Sequence, residues 1–121
     1  MQYVNLTPHR VTVTPGGIGT TATIDVEPSG VVARIETKVV HTDELGHEHV
    51  SYGRIVGLPD GVPTDEEIDD YDHEMWIVSL VTLLAANASK HPWRGFLLAP
   101  WQEIRDENGR IVGCRGLHTV G

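Results

Sequence analysis

The chain has 121 residues, 40% of them apolar and 21% charged, with a formal net charge of −8. That length suits one domain with its own core. The negative charge excludes general binding to nucleic-acid backbones, and the single cysteine, Cys114, excludes an intramolecular disulfide.

The opening MQYVNLTPHRVTV suggests a short strand over 3–6, a turn at NLTPH, and a half-buried strand over 11–14 from its apolar–polar alternation. PGGIG supplies a loop, and alternation returns over 21–26 with Ala22, Ile24 and Val26 on one face. The two segments read as a hairpin. After the turn EPSG, residues 31–40 form the longest strand candidate. Val31, Ala33, Ile35, Thr37 and Val39 share one face, and Arg34, Glu36 and Lys38 the other, so one buried and one wetter face are expected. HTDELGHEH interrupts the pattern. A strand resumes over 50–58, with Gly53 and Gly57 as candidate bulges.

PDGVPTDEEIDDYDHE, residues 59–74, is acidic and proline-bearing and reads as a solvated loop. MWIVSLVTLLAANA follows, apolar on nearly every side, which implies burial. Ile77 and Val78 favour a strand over 76–79, and the leucines and alanines favour a helix over 80–89; one helix across the whole run is the competing reading. Pro92 stops the element, and GFLLAP can return as a buried strand, giving a strand–helix–strand unit. In EIRDENGRIVGC, Asn108 and Gly109 between two apolar arms predict a terminal hairpin with a type I′ turn. The expected fold class is α+β: a β-rich single domain over 1–121, with hairpins, one central buried helix and a C-terminal β-hairpin.

Among chemistry-bearing groups, His47 and His49 would face one side of a strand, and Asp43, Glu44 or Glu48 could complete a metal site beside them. The pair lacks the following glutamate of a cupin-like set. Ser79 sits in IVSLV rather than in a nucleophile elbow, and nothing near Cys114 would lower a thiol pKa. PGGIG is followed by no Lys-Ser/Thr, so it is not a phosphate loop. Polar groups near strand ends carry more promise. Asn5, Thr7, His9, Ser79 and Arg105 would suit a polar anion or a nucleotide-like molecule if they shared one pocket.

Read together, YVNLTPHRVTV, EPSGVVARIETKVV, SYGRIVGLP, WIVSLV and IRDENGRIVGCRGL resemble a family of small phage and actinobacterial proteins that opens on an NLTPH motif. The resemblance runs from residue 3 to residue 117. It implies a source and a single-domain shape; no activity, cofactor or catalytic residue comes with it. The His47/His49 pair and the acidic loop lie outside the pattern. A phage source makes binding roles the expectation, either sequestering a host signalling molecule or holding a host protein.

The leading expectation is therefore a non-enzymatic binder of a small polar or nucleotide-like ligand, without a cofactor. The alternatives are a protein-interaction module that uses the acidic 60–74 loop, and a metal-dependent enzyme built on His47 and His49. No apolar run reaches the roughly 18 residues that a bilayer requires, and no export signal is legible at the start. No membrane or nucleic-acid partner is expected, and a cytoplasmic location is, in the host cytoplasm if the chain is phage-encoded. Edge strands and the tryptophans make a homo-oligomer plausible.

Overall fold

The computed structural model describes residues 2–15, 23–59, 61–66 and 74–119. The elements run β1 (Gln2–Asn5), β2 (Val11–Val13), β3 (Ile24–Val26), β4 (Arg34–Thr42), β5 (Glu48–Val56), β6 (Glu74–Ile77), α1 (Leu80–Ala88), a 3₁₀ turn (Arg94–Phe96), β7 (Leu97–Arg105) and β8 (Ile111–His118). The fold is α+β and β-rich, with one α-helix among the described residues and a β-hairpin at the C-terminal end.

Six strands form one sheet in the order β1-β6-β7-β8-β2-β3. β6 runs parallel to both β1 and β7, so β6–α1–β7 is the expected strand–helix–strand crossover. The single-helix alternative fails because Glu74–Ile77 pairs with β1 on one side and β7 on the other. Alternation along β6 explains its apolar run. Trp76 and Val78 face the helix side, while Ile77 packs on the opposite face with Val11, Val13 and Cys114. A strand buried on both faces must read as continuously apolar.

The sheet curls until its two ends meet. Asn5 bridges Pro28, and the Ser29 N–H donates to the Asn5 carbonyl at 2.9 Å. Inside the curl lie Val11, Val13, Ile77 and Cys114, with Val26 and Leu117. On the outer side α1 covers Trp76, Val78, Leu97 and Ala99 through Leu83 and Ala86. Trp76, Trp93 and Phe96 close this layer, with ring centroids 5.0 to 5.9 Å apart. Trp76 and Trp93 are thus core residues and cannot pair subunits, as the sequence suggested; Trp101 alone of the three is exposed.

The helix is capped as its sequence requires. Ser79 Oγ accepts the Thr82 N–H. At the other end His91 N–H reaches the Ala86 carbonyl and Lys90 N–H the Asn87 carbonyl, with Lys90 at φ +54°. That is a Schellman ending, with Pro92 just beyond it. Burial is one-sided, not all-round as the apolar run implied. Thr82, Leu83 and Ala86 are buried, whereas Leu80, Val81 and Leu84 are exposed.

Among the described residues β4 and β5 pair only with each other. HTDELGHEH does not break a strand but turns a hairpin, since β4 runs through Thr42 and β5 starts at Glu48. The register shifts opposite Gly53, as its candidate bulge implied. At the base, Gly57 takes φ +90°, and a Cβ there would lie 2.5 Å from the Val32 carbonyl oxygen. Only glycine lets the two segments close so tightly. The expected buried face of 31–39 holds only at its root. Ala33 is buried and Ile35 half-buried, but Val31 and Val39 are exposed because the hairpin leaves the body of the protein.

β2 and β3 form the expected antiparallel pair, with Thr12 Oγ1 donating to Asp25 at 2.6 Å. The PGGIG loop after Pro15 lies outside the described residues, as does half of the acidic segment; in its described part, the Gly61 carbonyl accepts from Trp93 Nε1. β7 and β8 form the terminal hairpin, but its turn is not type I′. Asn108 has no positive φ; Gly109 alone in the turn does, at +79°. Gly109 N–H donates to the Asp106 carbonyl, and Asp106 Oδ1 accepts from the Asn108 and Arg110 N–H groups. The aspartate supplied the acceptors that the Asn-Gly reading overlooked.

Candidate functional site

NLTPH sits at the seam where the curled sheet closes. The Asn5 side chain, 1% exposed, donates from Nδ2 to the carbonyls of His9 (2.7 Å) and Val26 (2.9 Å). Its Oδ1 accepts from the Thr7 N–H (2.9 Å) and hydroxyl (2.6 Å). An asparagine amide has two donors and two acceptor positions, so all four are taken within the fold. Asn5 thereby ties β1, the turn after it and the end of β3 together. His9 is exposed and gives the turn its backbone carbonyl.

Beside this turn lies a cleft of about 300 Å³. Thr7 and Pro8 form one wall, Ser79, Val81 and Thr82 at the start of α1 another, and Arg34, Thr37 and Tyr52 at the foot of the hairpin the third. Leu6, Val32 and Ala33 supply its apolar surface. The hairpin foot is held here because the Ala33 N–H donates to the Leu6 carbonyl at 2.9 Å. Ser79 Oγ and Thr82 Oγ1 are 2.9 Å apart.

Two of the five residues singled out from the sequence, Thr7 and Ser79, therefore share this cleft, with Asn5 holding Thr7 from below. His9 and Arg105 are not among its lining residues. Arg105 stands at the hairpin-tip end of β7, donating to the Gly109 carbonyl (2.8 Å) and Glu103 (3.1 Å). Arg34, Thr37, Tyr52 and Thr82 line the cleft and were not singled out. Arg34 begins β4, and only the folded hairpin brings it to the cleft that Thr7 lines.

His47 and His49 do come together, on one carboxylate. Asp43 Oδ2 is 3.5 Å from His47 Nδ1 and 3.1 Å from His49 Nε2, and the His41 ring lies 5.3 Å from that of His49. The His47 backbone N–H, and after it the His49 side chain, holds the Asp43 carboxyl below its ordinary value. Among the described residues no group of three or more His, Cys, Asp or Glu side chains is arranged to hold a metal ion.

Cys114 is buried, and burial pushes its thiol pKa up, the opposite of what a nucleophile requires. His91 is half-buried, and burial pushes its pKa down; its Nδ1 accepts the Trp93 N–H at 3.1 Å. No described helix is long and apolar enough to cross a membrane. Comparison with protein-family models, with curated proteins and with solved structures finds no match for this chain.

Proposed function

We propose that the protein is a non-enzymatic binder of a small polar, nucleotide-like ligand, held in the cleft between the NLTPH turn, the hairpin foot and the start of α1. The observation that carries this reading is the meeting of Thr7, Arg34, Tyr52, Ser79 and Thr82 around one concavity. Apolar walls with a few convergent polar groups are the usual make-up of a small-ligand site. Arg34 is the only charged residue among the described residues that line the cleft. The first N–H groups of any α-helix lack intrahelical acceptors and carry the positive end of its dipole. Both features favour an anionic group, and the Tyr52 ring offers a face for a base. The cleft shares Ile35, Tyr52 and Val81 with a neighbouring groove of about 870 Å³, which leaves room for a longer ligand. With the resemblance to phage proteins, the role proposed is sequestration of a host signalling molecule.

The test is a thermal-shift and calorimetry panel of nucleotides and cyclic dinucleotides. A ligand present at 100 times its Kd stabilises by about 2.7 kcal/mol, so a true ligand raises Tm visibly. Arg34→Ala weakens that ligand at least ~10-fold while leaving unliganded Tm in place, because loss of one charge-assisted bond costs about 1.5–3 kcal/mol. No shift across the panel at millimolar concentration rejects the reading.

A further inference from the structure

The tip of the β4–β5 hairpin gathers histidines that the cleft does not use. His41 on β4 and His49 on β5 are register partners, and their ring centroids lie 5.3 Å apart. Directly opposed residues of an antiparallel pair share a face. Two imidazoles bound at about 2.1 Å to one tetrahedral ion place their ring centres roughly 5 Å apart. The hairpin backbone thus holds these two rings at the separation that a shared ion requires. Among the described residues no hydrogen bond or ion pair ties up the His41 ring, which is free to turn toward an ion.

Asp43 prepares the other ring. Its Oδ1 is engaged by the turn, accepting the Leu45 and His47 N–H groups at 3.0 and 2.9 Å. That fixes the carboxylate and presents Oδ2 to the histidines, with His49 Nε2 at 3.1 Å and His47 Nδ1 at 3.5 Å. An ionised carboxylate only accepts, so His49 Nε2 carries the proton and His49 Nδ1 keeps its lone pair. Metal-ligating histidines share this arrangement, a carboxylate on one ring nitrogen and the ion on the other. Asp106 makes the same turn bonds in β7–β8, yet residues 105–110 include no histidine. The imidazoles are therefore no part of what such a turn needs.

Charge and donor type name the ion. Residues 41–49 carry Asp43, Glu44 and Glu48 and no Lys or Arg, a local field that favours a cation. Imidazole nitrogen suits late first-row divalent ions such as Zn²⁺, whereas Mg²⁺ and Ca²⁺ take oxygen ligands. Among the described residues no three His, Cys, Asp or Glu side chains are set around one point. Two imidazoles are thus the protein's ligands, and water completes the shell.

We infer that His41 and His49 bind a divalent zinc-like ion across the two strands, with Asp43 as the positioning residue. The sequence paired His47 with His49; the fold puts His41 in its place, because His47 precedes β5 and meets Asp43 from the turn. A lone two-stranded ribbon is marginal in water. An ion held by both strands near their far end staples the arm, because its binding free energy adds to folding free energy. The site stands apart from the cleft and is independent of whether the cleft binds a ligand.

Zn²⁺ titration of the full chain, followed by imidazole ¹H–¹⁵N NMR, tests this. The ring signals of His41 and His49 shift together, with the change of a ligated nitrogen at His49 Nδ1, and Mg²⁺ moves neither. His41→Gln or His49→Gln abolishes the response of the remaining ring, whereas His47→Gln and His9→Gln retain it. In Asp43→Asn, Oδ1 keeps the turn bonds and an amide NH₂ faces His49 Nε2. That reverses the tautomer and weakens Zn²⁺ ~10–100-fold, while the Leu45 and His47 amides stay protected. Bound Zn²⁺ slows amide exchange along β4 and β5. Rings of His41 and His49 that ignore millimolar Zn²⁺ overturn the proposal. So does a response that survives His41→Gln, or one that is lost with His47→Gln. An Asp43→Asn variant that binds as wild type does overturns the positioning role, and unchanged exchange in the arm overturns the staple.

Discussion

The two long hairpins turn on the same motif and meet opposite fates. In Asp43-Glu44-Leu45-Gly46-His47 and in Asp106-Glu107-Asn108-Gly109-Arg110, the glycine N–H donates to the aspartate carbonyl, at 3.1 and 3.0 Å. The aspartate N–H donates to the carbonyl four residues on, at 3.0 and 2.9 Å. Each Oδ1 accepts the N–H groups two and four residues later, all within 3.0 Å. Each glycine takes positive φ, +84° and +79°. Yet β7–β8 lies inside a six-stranded sheet, with β6 on one flank and β2 on the other, and buries Ala99, Ile104 and Cys114. β4–β5 stands out as an arm with most of its side chains in solvent. Turn chemistry decides that a hairpin forms; what its faces meet decides how much stability it carries.

The comparison breaks hardest at the seam that closes the sheet. Asn5→Ala removes four hydrogen bonds and takes their side-chain partner from the part-buried Thr7 N–H and Val26 carbonyl. The expected loss is about 3 kcal/mol or more, read as a lower denaturation midpoint at unchanged m. Asn5→Asp keeps the acceptor toward Thr7 but sets a carboxylate against the His9 and Val26 carbonyls, so it does not rescue. A loss below about 1 kcal/mol in Asn5→Ala would mean that the closed sheet does not depend on this side chain.

The two turns give the next effect. An alanine at a left-handed position costs about 1–2 kcal/mol. Gly109→Ala is expected to show that loss in global unfolding, because β7 and β8 are core strands. Gly46→Ala carries the same local strain, but the arm's own small stability caps what can be lost. In dilute protein the global change stays within about 0.5 kcal/mol, while amide exchange along β4 and β5 accelerates. Equal global losses in both variants would show that the arm unfolds as one unit with the sheet.

Much of this was legible in the sequence, for identifiable reasons. The alternation of residues 11–14 and 21–26, the break between Ile77-Val78 and the leucine-alanine run, and the Asp-Glu-Asn-Gly turn are local signals, and each marks a real element. The arm was not legible as an arm. Val31, Ala33, Ile35 and Val39 alternate just as a half-buried strand does, and alternation does not reveal whether a second layer covers the face. The apolar run at 76–88 raised the same problem, since one-sided burial of α1 looks like all-round burial when the exposed side is also apolar. Asn5, Thr7 and His9 read either as a turn whose Asn5 and Thr7 side chains bond its own backbone or as the rim of a ligand pocket, because polar residues at a strand end suit both. Only the positions of the Val26 and His9 carbonyls distinguish the two for Asn5. Arg34 and Tyr52, 27 and 45 positions beyond Thr7 in sequence, join the cleft through the hairpin's fold, which no local pattern encodes.

The smallest effect separates the arm's turn by titration. Asp43 has an ordinary value of 3.8 and is held below it, first by the His47 backbone N–H and then by the His49 side chain. A carboxyl whose pKa falls on folding stabilises the fold in full above its ordinary value. That contribution is lost as pH drops through the lowered folded value, when protonation removes charge from the oxygens that accept the Leu45 and His47 N–H groups. Amide shifts of Leu45 and His47 therefore move together, with a midpoint below 3.8, while core amides of β7 and β8 hold still. Asp43→Asn retains an acceptor without the ionisation, so the transition disappears and the turn persists. A midpoint at or above 3.8 would mean that these bonds do not favour the charged form of Asp43.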